Sequence, residues 1–90
     1  MERLHAVIHG DVQGVGFRYF VTRHAQARGL NGWVRNRPDG GVELVAEGQR
    51  TDLDALLTAA RQGPRHARVD SVDAQWSEAR GGLDRFDLSY

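Results

Sequence analysis

Apolar residues along this 90-residue chain recur with two different periods. Leu4 to His9 is a short β-rich run, apolar at Leu4, Ala6, Val7 and Ile8, that ends at Gly10. Apolar residues of both parities predict a strand well inside a sheet. From Phe17 the spacing turns helical: Phe17, Phe20, Val21 and Ala25 share one face, Arg18, Thr22, Arg23 and Gln26 lie largely off it, and Gly29 is a natural C-terminal stop. Trp33 and Val34 centre a second strand. Arg37-Pro38-Asp39-Gly40-Gly41 then has turn chemistry, because proline presets φ and glycine accepts a left-handed residue. The hairpin returns through Val42, Leu44 and Ala46, alternating with Glu43, Val45 and Glu47, which predicts one apolar face and one at least partly wet.

Thr51-Asp52-Leu53-Asp54 reads as an N-cap with an acidic first turn, and Leu53, Leu56, Leu57 and Ala60 recur at i, i+3, i+4 and i+7 as a second amphipathic helix. Gly63-Pro64 ends it. Val72, Ala74 and Trp76 alternate as a fourth strand, Gly81-Gly82 marks a turn, and Phe86, Leu88 and Tyr90 alternate as a short terminal strand. This order predicts an α+β ferredoxin-like βαββαβ sandwich with a short fifth strand and both helices on one sheet face. That fold hosts many functions, so it does not choose among them.

Composition narrows the field. A chain this short builds one core, so residues 1–90 are expected to form a single domain. The 12 acidic residues cancel 12 basic ones, all arginine, and no long single-signed run marks a nucleic-acid or membrane surface. With no cysteine, the thiolate phosphatase mechanism, disulfides and thiolate metal sites are excluded. The start lacks an apolar signal core, and no apolar span approaches membrane length, so a cytoplasmic protein, monomeric and free of nucleic acid and membrane, is expected.

The chemistry concentrates between the first strand and the first helix. Gly10-Asp11-Val12-Gln13-Gly14-Val15-Gly16-Phe17-Arg18 carries glycines at 10, 14 and 16, and such a segment can turn several N–H groups toward one point. A helix N-terminus adds partial positive charge and unpaired donors, which suits an anion the size of phosphate. Arg18 in the first turn opposes the helix dipole unless an anion lies between them. An ordinary tight strand-to-helix connection with a solvated Arg18 fits the same residues. Neither a Walker loop nor a GxGxxG dinucleotide fingerprint is present.

The segment Gly10 to Arg18, of form Gly-x-Val-Gln-Gly-Val-Gly-Phe-Arg, resembles the signature loop of the acylphosphatase family. Gly32-Trp33-Val34-Arg35-Asn36, followed by Asp39-Gly40 and Val42-Glu43, resembles the family's second signature, and Gly48, Gly63-Pro64 and Ala67-x-Val69 extend the likeness over most of Leu4 to Tyr90. The resemblance implies one acylphosphatase-like domain that hydrolyses the carboxyl-phosphate bond of small-molecule acyl phosphates without metal or cofactor, with inorganic phosphate as product and competing ligand. It also implies roles by motif position: the loop Gln13, Gly14, Val15, Gly16, Phe17 and Arg18 binds the phosphoryl oxygens, and Arg18 and Asn36 are catalytic, Asn36 orienting the attacking water.

These residue types suit that reaction. A carboxylate leaving group, whose conjugate acid has a pKa near ~4, needs no general acid. A loose phosphoryl-transfer transition state asks mainly for positioning and donors. Asparagine is a poor base but a good orienter of water. By itself, Asn36 would equally be a strand-end residue preparing the turn. Some relatives place a small hydroxyl residue directly after the asparagine, whereas this chain has Arg37. Asp11 would weaken anion binding unless its carboxylate turns outward, which is expected.

Other groups read as structural. His5 and His9 share a strand face about 13 Å apart, too far to hold one ion. His24 and His66 lack the RHG pattern of histidine phosphatases. Trp33, Trp76, Phe20 and Phe86 occupy core-compatible positions, and Glu43 and Glu47 read as a solvated strand face. An RNA-recognition domain of the same element order would show stacking aromatics where Val42 to Glu47 stand. The remaining rival is a non-catalytic phosphate- or acyl-phosphate-binding module on the same fold.

Overall fold

Two crossovers joined by a hairpin give the chain its shape. The computed structural model describes residues 1–90. Its elements are β1 (Glu2–Asp11), α1 (Phe17–Ala27), β2 (Asn31–Asn36), β3 (Val42–Gly48), α2 (Arg50–Gln62), β4 (Arg68–Glu78) and β5 (Asp87–Ser89). The strands form one sheet in the order β4-β1-β3-β2-β5, antiparallel throughout except where β5 runs parallel to β2. This is the ferredoxin-like α+β arrangement that the periodicities predict.

The helices and one sheet face share a single core. Leu4, Ala6 and Ile8 of β1, Val34 of β2 and Leu44 and Ala46 of β3 meet Phe17, Val21 and Ala25 of α1 and Leu53, Leu56 and Ala60 of α2. The period-2 positions of the strands thus face the period-3.6 stripes of both helices. Phe86 is fully buried in the same cluster and anchors the segment leading into β5.

Several local expectations are corrected. β1 runs on through Gly10 to Asp11, with a register shift against β4 between His9 and Gly10. Gly10 has a φ of +134°, and a Cβ there would lie 2.1 Å from the Arg68 carbonyl oxygen, so its glycine serves close strand approach rather than the loop. α2 starts two residues earlier than Thr51 suggests: Gln49 is the N-cap, with no side-chain cap bond. Arg50, the first helical residue, bonds Asp54 one turn on and Glu2 at 3.0 Å, and its guanidinium lies 3.5 Å from the Trp76 ring centroid. Those contacts favour drawing Arg50 into the helix. Thr22 is buried, not off the core face, because it follows Val21 by 100° and flanks a stripe broad enough to cover it.

The sheet face opposite the helices is less wet than alternation suggests. Val45 and Glu47 are buried, and the Glu43 side chain is 12% exposed. The reason is a charge network. Arg3 donates to Glu47 at 2.9 Å, and His5 and Arg35 both donate to Glu43, at 2.6 and 2.8 Å. Glu47 also accepts the main-chain N–H groups of Arg80 and Gly81. Trp33 belongs to this network's face, level with Val45, and is half-buried outside the core cluster.

Candidate active site

Between β1 and α1 the backbone turns through Gly14 and Gly16, with φ of +74° and +75°. Gly16 is the left-handed N-cap of α1 and offers no side-chain acceptor to the helix. No acidic residue occupies the first turn of α1. The main-chain N–H groups from Gln13 to Tyr19 consequently find no acceptor within the protein. A serine or aspartate cap would have satisfied some of these donors. Glycine leaves them to a guest, and the positive end of the helix dipole faces the same way.

Arg18 and Asn36 come together across this loop. Both line one cavity of about 160 Å³, together with Gly14 and Gly16. Asn36 arrives as the last residue of β2, where the strand ends and the hairpin turn begins. Arg18, in the first turn of α1, is half-buried and donates through Nη1 to the Ser89 carbonyl oxygen at 2.9 Å. No carboxylate pairs with it, so its positive charge is uncompensated at the cavity wall.

The other loop residues divide by what their side chains do. Phe17 is buried in the core and also lines the cavity, whereas Val15 packs against that core and does not line it. Gln13 does not line the cavity. Its side-chain amide donates to the carbonyl oxygens of Arg37 and Gly41 in the β2–β3 turn. It fastens the loop to the hairpin that carries Asn36, a role the motif alone does not reveal.

Two nearby charges are directed elsewhere. Asp11 points to Arg68 of β4, 2.8 Å away, and Arg68 also holds Asp70. Arg37 pairs with Asp39 at 3.0 Å. Their hydrogen bond raises the Arg37 pKa above its ordinary value, and, with the Gly41 N–H, lowers that of Asp39. Arg37 is therefore an anchored turn residue whose carbonyl receives Gln13. No cluster of three or more His, Cys, Asp or Glu is arranged to hold a metal ion, and no helix is long and apolar enough to cross a membrane.

Three residues at this cavity were not singled out from sequence. Tyr19, Leu88 and Tyr90 all line it. The alternation Phe86, Leu88, Tyr90 predicts a terminal strand through all three, but β5 spans only Asp87–Ser89 and Tyr90 is fully exposed beyond its end.

Comparison with known proteins bears on the chain as a whole. The acylphosphatase family model matches residues 4–88. The acylphosphatase of Salinibacter ruber is 48% identical over 85 residues, spanning 94% of this chain and 90% of that one. The crystal structure of acylphosphatase from Bacillus subtilis superposes with a TM-score of 0.96 at 40% identity, over the full length of both chains. Full-length HypF, solved in a phosphate- and nucleotide-bound form, matches the whole of this chain with 12% of its own, at 28% identity and a TM-score of 0.86.

Proposed function

The chain belongs to the acylphosphatase family, and we propose that its enzymatic reaction is metal-independent hydrolysis of the carboxyl-phosphate bond of acyl phosphates, run by Arg18, Asn36 and the amides of Gln13 to Phe17. The observation that carries this assignment of roles is the row of unpaired N–H donors at a helix N-terminus, with Arg18 and Asn36 on the wall of the same cavity.

In this reading the phosphoryl oxygens lie among the loop amides and the Arg18 guanidinium. Those donors stabilise charge on the equatorial oxygens without reorganising during the reaction. The Asn36 carboxamide oxygen accepts one proton of a water molecule and aims its lone pair at phosphorus. The water oxygen bonds to phosphorus as the bond to the carboxyl oxygen breaks. The carboxylate departs unprotonated, and the water's proton passes to a phosphoryl oxygen, giving inorganic phosphate. No side chain is required as an acid.

Residues 1–90 act in this reading as one domain, a cytoplasmic monomer whose partner is a small-molecule acyl phosphate rather than nucleic acid or a membrane. The cancelling charges support the exclusion of polyanions. The test is hydrolysis of benzoyl phosphate with a chelator present. Turnover unaffected by the chelator and competitively inhibited by inorganic phosphate is expected. Activity lost to the chelator and restored by Mg²⁺ would overturn the mechanism. Phosphate binding without turnover would instead identify a binding module.

A further inference from the structure

The cavity that Arg18 and Asn36 line has further residues on its wall, for which the phosphoryl reading gives no role. Tyr19, in the first turn of α1, is 61% exposed, and Tyr90, just past β5, is fully exposed. The chain's phenylalanines and tryptophans are all buried or half-buried. The two aromatic rings most open to solvent therefore border the same cavity, beside Leu88. Large apolar side chains left exposed together mark a contact surface.

Both rings are also held. The Arg18 guanidinium carbon lies 4.9 Å from the Tyr90 ring centroid, and that of Arg23 lies 5.7 Å from the Tyr19 ring. Cation–π contacts of this length restrict the rings while leaving apolar surface open. Arg18 is the sole charged side chain lining the cavity. With its guanidinium directed to the phosphoryl group, no other charged side chain in the lining is placed to pair with a charged acyl group, and Arg23 lies against the Tyr19 ring outside that lining.

Resting on the acylphosphatase reading above, we propose that Tyr19, with Leu88 and Tyr90, forms the acyl-group subsite and selects uncharged apolar acyl groups, aromatic ones above all. Tyr19 is the specificity-determining residue of the three. Its ring is exposed and packs on nothing in the core, so replacing it alters the subsite without disturbing the fold. Tyr90 also covers Arg18, which makes it a poorer probe. A flat ring beside Tyr19 gains the contact energy of an aromatic pair, which an acetyl group is too short to collect.

The experiment measures kcat/KM for benzoyl, acetyl and succinyl phosphates with the wild type, Tyr19→Ser and Tyr19→Phe. Expected is a fall of roughly three- to tenfold in the benzoyl-to-acetyl ratio for Tyr19→Ser, the ratio being kept in Tyr19→Phe. Succinyl phosphate should be a poorer substrate than benzoyl phosphate. An unchanged ratio in Tyr19→Ser, or a preference for succinyl over benzoyl phosphate, overturns the subsite and leaves the hydrolase standing. A wild type that turns over none of the three overturns both.

Discussion

The side-chain amide of Gln13 donates to the main-chain carbonyl of Arg37 at 2.7 Å, and shares its second hydrogen with the Gly41 carbonyl at 2.9 Å. Both acceptors belong to the turn that follows Asn36. One side chain thereby couples the glycine loop to the strand end that carries Asn36.

Cutting that tie separates positioning from binding. Gln13→Ala is expected to lower kcat/KM for benzoyl phosphate by about tenfold or more, because small misplacement of reacting groups is expensive. Stability should fall by about 1 to 2 kcal/mol for two lost hydrogen bonds. Gln13→Glu should be worse than alanine in both respects, since a carboxylate would face two carbonyl oxygens. Steady-state kinetics and urea unfolding of both variants check this; an alanine variant with wild-type kcat refutes the coupling.

Arg18 and Asn36 should fail in different ways. Arg18→Ala is expected to lose roughly 10²- to 10³-fold in kcat/KM, with weakened phosphate inhibition, and lysine should restore little because it lacks the planar fork. Asn36→Ala should lose kcat while KM and phosphate inhibition stay near wild type, as suits a group that touches water rather than phosphate. Wild-type turnover in either alanine variant rules out its role.

Much of this was legible in the chain, and the gaps have physical causes. Element order followed from periodicity because both helices carry a clear apolar stripe, as in Leu53, Leu56, Leu57 and Ala60, and the strands break that spacing. Glycine spacing pointed to the loop because left-handed backbone is locally encoded, at Gly14 and Gly16. What escaped depended on partners distant in sequence. Glu47 is buried by Arg3 and by N–H groups at 80 and 81, and Arg50 is drawn into α2 by Glu2 and Trp76. The tether from Gln13 was hidden because its acceptors are main-chain carbonyls, which sequence does not mark.

Gly10 and Gly16, six positions apart, should respond differently to the same methyl group. Around Gly16 a Cβ would meet nothing within 4 Å, so alanine pays only the left-handed backbone, about 1 to 2 kcal/mol, and should also distort the loop enough to cut phosphate affinity. At Gly10 a Cβ would lie 2.1 Å from the Arg68 carbonyl oxygen, and the β1–β4 pairing must open. Gly10→Ala should cost more, about 2 to 4 kcal/mol. Unfolding curves for the two variants, with phosphate titrations of Gly16→Ala, make the comparison; equal stabilities would argue against it.

Glu47 should tie stability to acid pH. The Arg80 N–H leads in holding its carboxylate; burial opposes this, but with Arg3 and the Gly81 N–H the balance leaves the pKa below its ordinary value. A folded pKa below the unfolded one, near ~4.3, means that the unfolded chain binds the proton more readily in between. This contribution is complete above that unfolded value and is lost as pH falls through the folded one. Glu47→Gln should therefore be less stable than wild type at pH 7, with the difference shrinking on acidification. Urea midpoints from pH 7 to pH 3 report it, and a constant difference would count against the ion network.

Because β5 runs parallel to β2, the two strands finish at the same end of the sheet, with Ser89 level with Arg35 and one step from Asn36. Residues appended to Tyr90 would therefore begin at the wall of the cavity that Arg18 and Asn36 line. β1 starts at Glu2 and spans ten residues before reaching the loop, so residues appended to Met1 would begin about 30 Å away. A fusion, an affinity tag or a surface tether belongs at the first of these ends only if the aim is to obstruct substrate.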